Sequence, residues 1–498
     1  MFKISLPKLQ IIPPTIEHIW FILPLAISFI ALNMTPLKEG DLWWHIKVGE
    51  QAFRTMQVPR FDEFTFTAFQ SAYLFSHSWL SDVLLYVIYQ VSGLPGLVLC
   101  QAIVGTAIIA LLLRESVRRG TASSLAVTLV LICWVGYYPY SSTRPQNFSF
   151  LFFCIFFLLC RDYLAGKKNR LWLLPVLMIA WVNFHGAWVT GVILLGICLG
   201  GALLEDWWSP DLAISPRPLI IWTLVTLLVL PLNPEGLAVY RSLLAAGSNP
   251  INQQFVSEWQ PLVITNIVSW PFFGLLGLWI CGLAYTARRP RIYELLLMLV
   301  FAVFALRYLR MPPFFFILAA PIVVETIGNI QWDKLRNRLG NARGSSEDVR
   351  SMGVFNGVFL AILLFGMVGS IPWIRLSLSG KSSSSLISPY FPVEVVNKLP
   401  YRPERVFSLP EWGGYITWSL HPPTTVFADG RVELLPTEAW DDYLTIATAN
   451  TGWEELLEQY QVDTLILSKA RQGALIAAAQ KNGWRNIVED DVAVILMR

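Results

Sequence analysis

The segment GDLWWHIKVGEQAFRTMQVPRFDEFTFT, residues 40 to 67, holds the most informative group of acid, imidazole and guanidinium side chains in this 498-residue chain. Its first half has helical spacing. On a helix Asp41 and His45 stand one turn apart and Val48, Gly49 and Ala52 follow on the same face, so both polar groups are expected to look over a narrow, small-residue surface that a substrate could approach. The competing reading is that Asp41, coming after Gly40, caps the helix and His45 merely packs. Arg60, Asp62, Glu63 and His77 follow in the same stretch. Short polar segments elsewhere add Arg144 (STRPQN), Asn183 and His185 (WVNFHGAW), Asn233 and Glu235 (LNPEG), Glu258 (VSEWQP), Arg307 and Arg310. No two of His45, His77 and His185 have the i, i+4 spacing of a helical metal site. A hard divalent ion (Mg or Mn) on Asp41 with Asp62 or Glu63 is the better metal candidate.

The elements that must position these residues are membrane helices. Hydrophobic residues make up 55% of the chain and charged residues 14%, against about 45–50% and about 25% in soluble domains. Mean hydropathy is +0.53. The net charge of +3 is too small for a nucleic-acid-binding surface. Cys100, Cys133, Cys154, Cys160, Cys198 and Cys281 all lie in apolar stretches, without the spacing of a disulfide framework or zinc site.

Apolar runs predict about eleven spans: Ile19–Met34, Leu94–Leu113, Ala122–Tyr138, Phe148–Leu164, Leu171–Val182, Ala187–Leu204, Leu219–Leu232, Ile267–Tyr285, Ile292–Leu306, Phe314–Ile327 and Val354–Ile374. Basic residues cluster in alternate connections, such as Arg114, Arg118 and Arg119, then Arg161, Lys167, Lys168 and Arg170, then Arg288, Arg289 and Arg291. This pattern places the N-terminus inside and the C-terminus outside, with the acidic segment Glu205–Pro218 fitting poorly. It requires Ser78–Val91 to lie at the outer interface as an amphipathic helix rather than to cross. Trp43 and Trp44 are expected at the membrane surface. All the polar candidates then fall on the outer side, and because ionisable groups at membrane depth are costly unless they line a polar cavity, they point to a shared site. The loop Gln331–Met352, on the inner side, has no catalytic look.

Two domains are expected. Residues 1–375 form the membrane part, whose first outer loop, 35–93, carries interfacial helices; residues 376–498 form an extracytoplasmic α/β domain behind a flexible tether, GKSSSS. In that domain Thr424–Ala428, Thr464–Ser468 and Val492–Met497 read as strands, and Thr437–Ala449, Glu454–Tyr460 and Ala470–Lys481 as helices. Asp429-Gly430-Arg431 reads as a turn after a strand.

Asp41-Leu42-Trp43-Trp44-His45 is similar to the Asp-x-Trp-Phe-(Asn/His) stretch in the first loop of oligosaccharyltransferase catalytic subunits. Together with Pro59–Thr67, His77–Leu80, Arg144-Pro145 and Trp181–Gly186, it resembles an uncharacterised bacterial branch of the GT-C membrane glycosyltransferases. That superfamily also includes the protein O-mannosyltransferases. The Trp-Trp-Asp-Tyr-Gly signature of oligosaccharyltransferases is missing, and Trp440-Asp441-Asp442-Tyr443 is a partial echo of it. The resemblance implies a polytopic α-helical, GT-C-like fold. It implies inverting transfer of a sugar from a polyprenyl-phosphate lipid donor to an acceptor hydroxyl of a glycan, lipid or protein, at the outer face of what is expected to be a bacterial plasma membrane. Under it Asp41 is the base. His45 and His185 orient the sugar or assist proton transfer, Arg60, Arg144 and Arg310 hold the donor phosphate, and His77, Asn183, His185 and Glu258 contact substrate. The isoprenoid tail would lie along Phe-rich faces bearing Phe150, Phe152, Phe153 and Phe156. The rival classes are a transporter or flippase and a non-catalytic envelope assembly subunit.

Overall fold

A computed structural model describes residues 14–69, 71, 78–119, 121–208, 214–241, 257–330 and 352–498. His77, and the loop expected at 331–352 up to its last residue, lie outside these. The membrane part contains α1 (Ile16–Met34), α2 (Asp41–Thr55), α3 (Trp79–Arg118), α4 (Ser123–Tyr137), α5 (Gln146–Leu164), α6 (Leu173–Phe184) and α7 (Trp188–Trp208). It continues through α8 (Arg217–Leu228), α9 (Trp270–Tyr285), α10 (Ile292–Arg307), α11 (Pro312–Gly328), α12 (Met352–Ser370) and α13 (Pro372–Ser379). Among the described residues seven helices are long and apolar enough to cross a membrane, and α6, α8 and α11 are shorter apolar helices. Ten of the eleven expected spans fall on these helices, and the one at Ile292–Leu306 falls on α10, which is in neither group.

The 40-residue α3 is two arms joined at Gly93, whose φ of 62° and ψ of −160° suit a residue without a Cβ. The first arm corresponds to the separate segment Ser78–Val91. Phe150, Phe153 and Phe156 of α5 are fully buried in a core shared with α4, α10 and α11, so they do not face an isoprenoid groove; Phe152 stacks on Trp181. At the end of the bundle away from α2 an ionic network fastens four helices, α3, α5, α10 and α11, and the connection before α10. The fully buried Arg161 guanidinium lies 3.5 Å from both Glu115 and Glu294 and pairs closely with Glu325, while Arg288 reaches Glu294 and Glu325 at 3.0 Å each. Charges this deep persist only when paired.

The chain then forms α14 (Val393–Asn397), β1 (Arg405–Ser408), α15 (Pro410–Leu420), β2 (Thr425–Val426), α16 (Thr437–Ala447), α17 (Trp453–Gln459), β3 (Thr464–Ser468), α18 (Gly473–Lys481), β4 (Arg485–Glu489) and β5 (Ala493–Met497). The strands make one sheet in the order β2-β1-β3-β5-β4. β1 is parallel to β2 and β3, and β5 is antiparallel to β3 and β4. The expected strands are present, the one at Thr424–Ala428 shortened to two residues. β1, β4 and α15 were not expected, because β1 is only four residues long and β4 is largely exposed.

Alternation across the strands gives the sheet two apolar faces. Phe407, Leu465, Leu467, Val494 and Leu496 join the core around Phe427 and Tyr443. Trp440 and Tyr443 of the oligosaccharyltransferase-like echo are buried there too. Val406, Ile466 and Ile495 join a second core that runs through Trp412, Tyr415 and Ile416 into Leu42, Trp43 and Ile46 of α2 and Leu85, Leu94 and Leu97 of α3. Trp43 and Trp44 are therefore buried and not at the membrane surface: Trp43 packs against Tyr415, Phe391 and Trp418, and Trp44 lies on His45.

The chain just past the expected tether is tied down as well. Leu37 N–H donates to the Leu386 carbonyl at 2.8 Å and Ser388 N–H to the Leu37 carbonyl at 3.0 Å. The first loop also extends the sheet edge, with Phe66 N–H donating to the Val426 carbonyl at 3.1 Å and Val426 N–H to the Phe64 carbonyl at 2.9 Å.

Candidate active site

Asp41 is the first residue of α2. The N-cap is Gly40, which offers no side-chain cap, and the Asp41 carboxylate turns sideways instead: Oδ1 accepts from Trp44 Nε1 at 3.2 Å and Oδ2 lies 3.3 Å from Arg144 Nη1. The capping reading therefore fails. Gly40 is small because the chain at the start of α15 passes against it; a Cβ there would stand 2.5 Å from the Glu411 carbonyl oxygen.

Arg144 sits in the turn before α5, after the buried run Ser141, Ser142 and Thr143. Its guanidinium bridges three carboxylates from distant parts of the chain: Asp41 at 3.3 Å, Glu39 at 3.8 Å and Glu258 in a close ion pair. Glu258 is in a one-turn 3-10 helix held against the turn after α10, where Arg310 N–H donates to the Glu258 carbonyl at 3.1 Å. The Arg310 guanidinium lies 4.8 Å from the centre of the Trp259 ring and makes no ion pair among the described residues. Glu258 and Glu433 act on it electrostatically.

Beside the group is a cavity of about 240 Å³ lined by Arg144, Glu258 and Arg310 with Tyr140, Gln146 and Ser269. Asp41 is not in its lining and meets Arg144 from outside it. Burial pushes the Asp41 carboxyl above the usual carboxylate range, with Glu258 adding to the rise and Arg144 and His45 opposing it. At Glu258 burial also raises the value, but Arg144 and Arg310 outweigh it and hold the group ionised below its usual range.

The remaining expected residues are dispersed. The face bearing His45, Val48, Gly49 and Ala52 is covered by the first arm of α3, so it is not an open surface; a Cβ on Gly49 would stand 2.0 Å from the Asp82 carbonyl oxygen. His45 is buried there with Nδ1 2.6 Å from Asp82 Oδ1, and Ser78 donates to the other oxygen of Asp82 at 3.0 Å. Arg60 is exposed and makes no ion pair among the described residues. Asn183 ties α6 to α3, accepting from Trp79 Nε1 at 2.7 Å and donating to the Leu232 carbonyl at 2.8 Å. His185 Nδ1 is 2.9 Å from Ser149 Oγ, which also accepts from Trp181 Nε1.

Asp62 does not join Asp41 in a divalent-ion site. It is buried against Arg431 Nη1 at 2.6 Å and accepts from Thr65 N–H at 2.9 Å, while Glu63 points outward and is exposed. Among the described residues no three His, Cys, Asp or Glu side chains gather as a metal site.

Sequence reasoning missed the part played by the turn after β2. Asp429 and Asp62 hold the fully buried Arg431, which lies over the Trp44 and Phe64 rings. This sets Gly430 so close to Asp41 that an added Cβ would be 2.1 Å from Oδ1. Glu433, three residues on, interacts electrostatically with Arg310. Asp-Gly after a strand is common enough as a turn that its sequence carries no mark of this contact.

This architecture, a helix bundle whose first loop and C-terminal sheet meet over an acidic helix start, is a fold shared with solved archaeal oligosaccharyltransferase structures. The archaeal oligosaccharyltransferase AglB from Archaeoglobus fulgidus, in complex with an inhibitory peptide and a dolichol-phosphate, matches with a TM-score of 0.58 at 15% identity, over 91% of this chain and 69% of that one. The same enzyme tethered to an acceptor peptide matches with a TM-score of 0.54 at 14% identity, over 94% and 72%. ArnT from Cupriavidus metallidurans bound to undecaprenyl phosphate aligns over 96% and 97%, with a TM-score of 0.49 at 13% identity. No family model and no curated protein matches the sequence.

Proposed function

We propose that this protein transfers a sugar from a polyprenyl-phosphate-linked donor to an acceptor hydroxyl, with inversion, and that the end carrying the C-terminal sheet faces outside the cell. The observation that carries the reading is the Asp41–Arg144–Glu258 chain beside a cavity that also receives Arg310. It supplies a carboxylate of raised proton affinity and a cation without an ion pair among the described residues, which are the two groups this chemistry needs. That AglB was solved with a dolichol-phosphate supports a lipid-phosphate donor.

In the reaction Asp41 Oδ takes the acceptor hydroxyl proton as the oxygen attacks the anomeric carbon. The bond from that carbon to the phosphate oxygen breaks, and its electron pair leaves with the phosphate. Arg310 and the edge of Arg144 in the cavity stabilise the leaving anion by paired N–H donors. Trp44 and Arg144 hold Asp41 in place, and Glu258 keeps Arg144 from closing fully onto it.

Asp41→Asn tests the proposal. Because Asp41 does not cap α2, the variant is expected to fold and bind a polyprenyl phosphate as the parent does while sugar transfer is lost. Transfer at the parent rate would overturn the assignment.

A further inference from the structure

A second cavity, of about 440 Å³, opens on the other side of α2, within the size range of small-molecule sites, about 300–1,000 Å³. Glu50, nine residues after Asp41, projects from the helix about 180° away from it and about 14 Å further along the axis. Four parts of the chain build the walls: α2, the first arm of α3, the segment leading into α14, and α15. Their side chains are flat aromatic rings, the aliphatic groups of Ile46, Leu94, Ile387 and Val393, and neutral or mutually cancelling polar groups.

The ring wall is rigid before any ligand arrives. Trp418 is held 4.7 Å from Trp43, 5.7 Å from Tyr89 and 5.8 Å from Tyr415, ring centre to ring centre. The polar groups are Lys47, Glu50, Gln90 and Asn397, with the hydroxyls of Ser384 and Ser419. Among the described residues Lys47 and Glu50 are the charged members of the lining; they pair at 2.8 Å, and Lys47 also donates to the His421 carbonyl at 3.1 Å. The lining thus has no net charge and its one ammonium is already engaged, which disfavours a phosphate or an anionic headgroup. What remains is a fixed aromatic surface, with aliphatic groups beside it, for aliphatic C–H faces, bordered by amide, hydroxyl and carboxylate groups for hydroxyls. That combination fits a neutral saccharide.

We infer that this cavity is a glycan-binding site separate from the Asp41 cluster. Its use, keeping an acceptor glycan or its product at the enzyme and raising its local concentration, rests on the transferase reading; the binding itself does not.

The experiment is equilibrium binding of chitotetraose, cellotetraose and maltotetraose to the full chain in lipid nanodiscs without donor, read by calorimetry and by tryptophan fluorescence. At least one tetrasaccharide is expected to bind and perturb the emission. Gln90→Ala and Asn397→Ala, both at exposed positions, are expected to weaken it about tenfold, and Trp418→Ala to abolish it. Arg144→Ala is expected to weaken polyprenyl-phosphate binding and leave the saccharide affinity unchanged, so failure of the transferase reading and failure of this site give different results. Absence of binding by all three probes would overturn the inference. So would equal affinity in the Gln90 and Asn397 variants, or displacement of the saccharide by phosphatidylglycerol, which would make the cavity a lipid site.

Discussion

Gly430→Ala asks whether the C-terminal sheet acts on Asp41. Gly430 is exposed and its backbone is not in the left-handed region, so alanine meets no conformational penalty and disturbs no core. Its Cβ would stand 2.1 Å from Asp41 Oδ1, against the 3.4 Å at which ordinary contact begins. The carboxylate, the far end of a short side chain, is the part that gives way, by about 1.3 Å if it alone moves. Such a retreat breaks the Trp44 hydrogen bond and turns the oxygen away from an acceptor. A displacement of about 1 Å costs on the order of 100-fold in rate, or about 2.7 kcal/mol. The assay is sugar transfer in nanodiscs from a panel of polyprenyl-phosphate sugars, with thermal unfolding alongside. The expected result is kcat/KM down about 100-fold with a melting temperature close to that of the parent. Parent kcat/KM in a folded Gly430→Ala protein would refute the claim that this turn positions the base.

The pH profile gives a signed test. Transfer needs ionised Asp41, whose raised proton affinity places the acid limb of kcat/KM above the ordinary carboxylate value of about 4. Glu258 raises that affinity and Arg144 lowers it, so Glu258→Gln is expected to move the limb to lower pH and Arg144→Ala to higher pH. Movement of both in the same direction would break the electrostatic argument. Arg431→Met strands Asp62 and Asp429 as buried carboxylates and is expected to cost about 3–5 kcal/mol, seen as a lower melting temperature and faster proteolysis of the first loop. An unchanged melt would show that the Asp62–Arg431 link does not hold loop to sheet.

Much of the membrane part was legible in the sequence because length and apolarity decide it. A helix in lipid satisfies its own backbone, so a long apolar run needs no knowledge of its neighbours to be recognised. The separation of Ser78–Val91 from Leu94–Leu113 was legible for a similar local reason, and the structure places it at Gly93. β1 and β4 were not legible. β1 is a strand through its pairing with β2 and β3, and β4 through pairing with β5, information that lies 20 or more residues away or on a neighbouring strand.

The candidate site divides in the same way. Residue type and position marked Asp41, Arg144, Glu258 and Arg310 as polar groups near the ends of apolar runs, which is a property of the chain itself. Whether each group turns toward a common point is a property of packing. Tertiary structure alone drew Arg144 between Asp41 and Glu258, buried His45 on Asp82 and took Asp62 for Arg431. It also left Arg60 outside and brought Gly430 against the carboxylate from nearly four hundred residues away. The sequence by itself determined that the protein is a bundle of membrane helices with ionisable groups near the helix ends, because transfer free energies act residue by residue. Which of those groups form one site was decided only when the second core closed over α2, because ion pairing and steric exclusion act through distances that the chain acquires on folding.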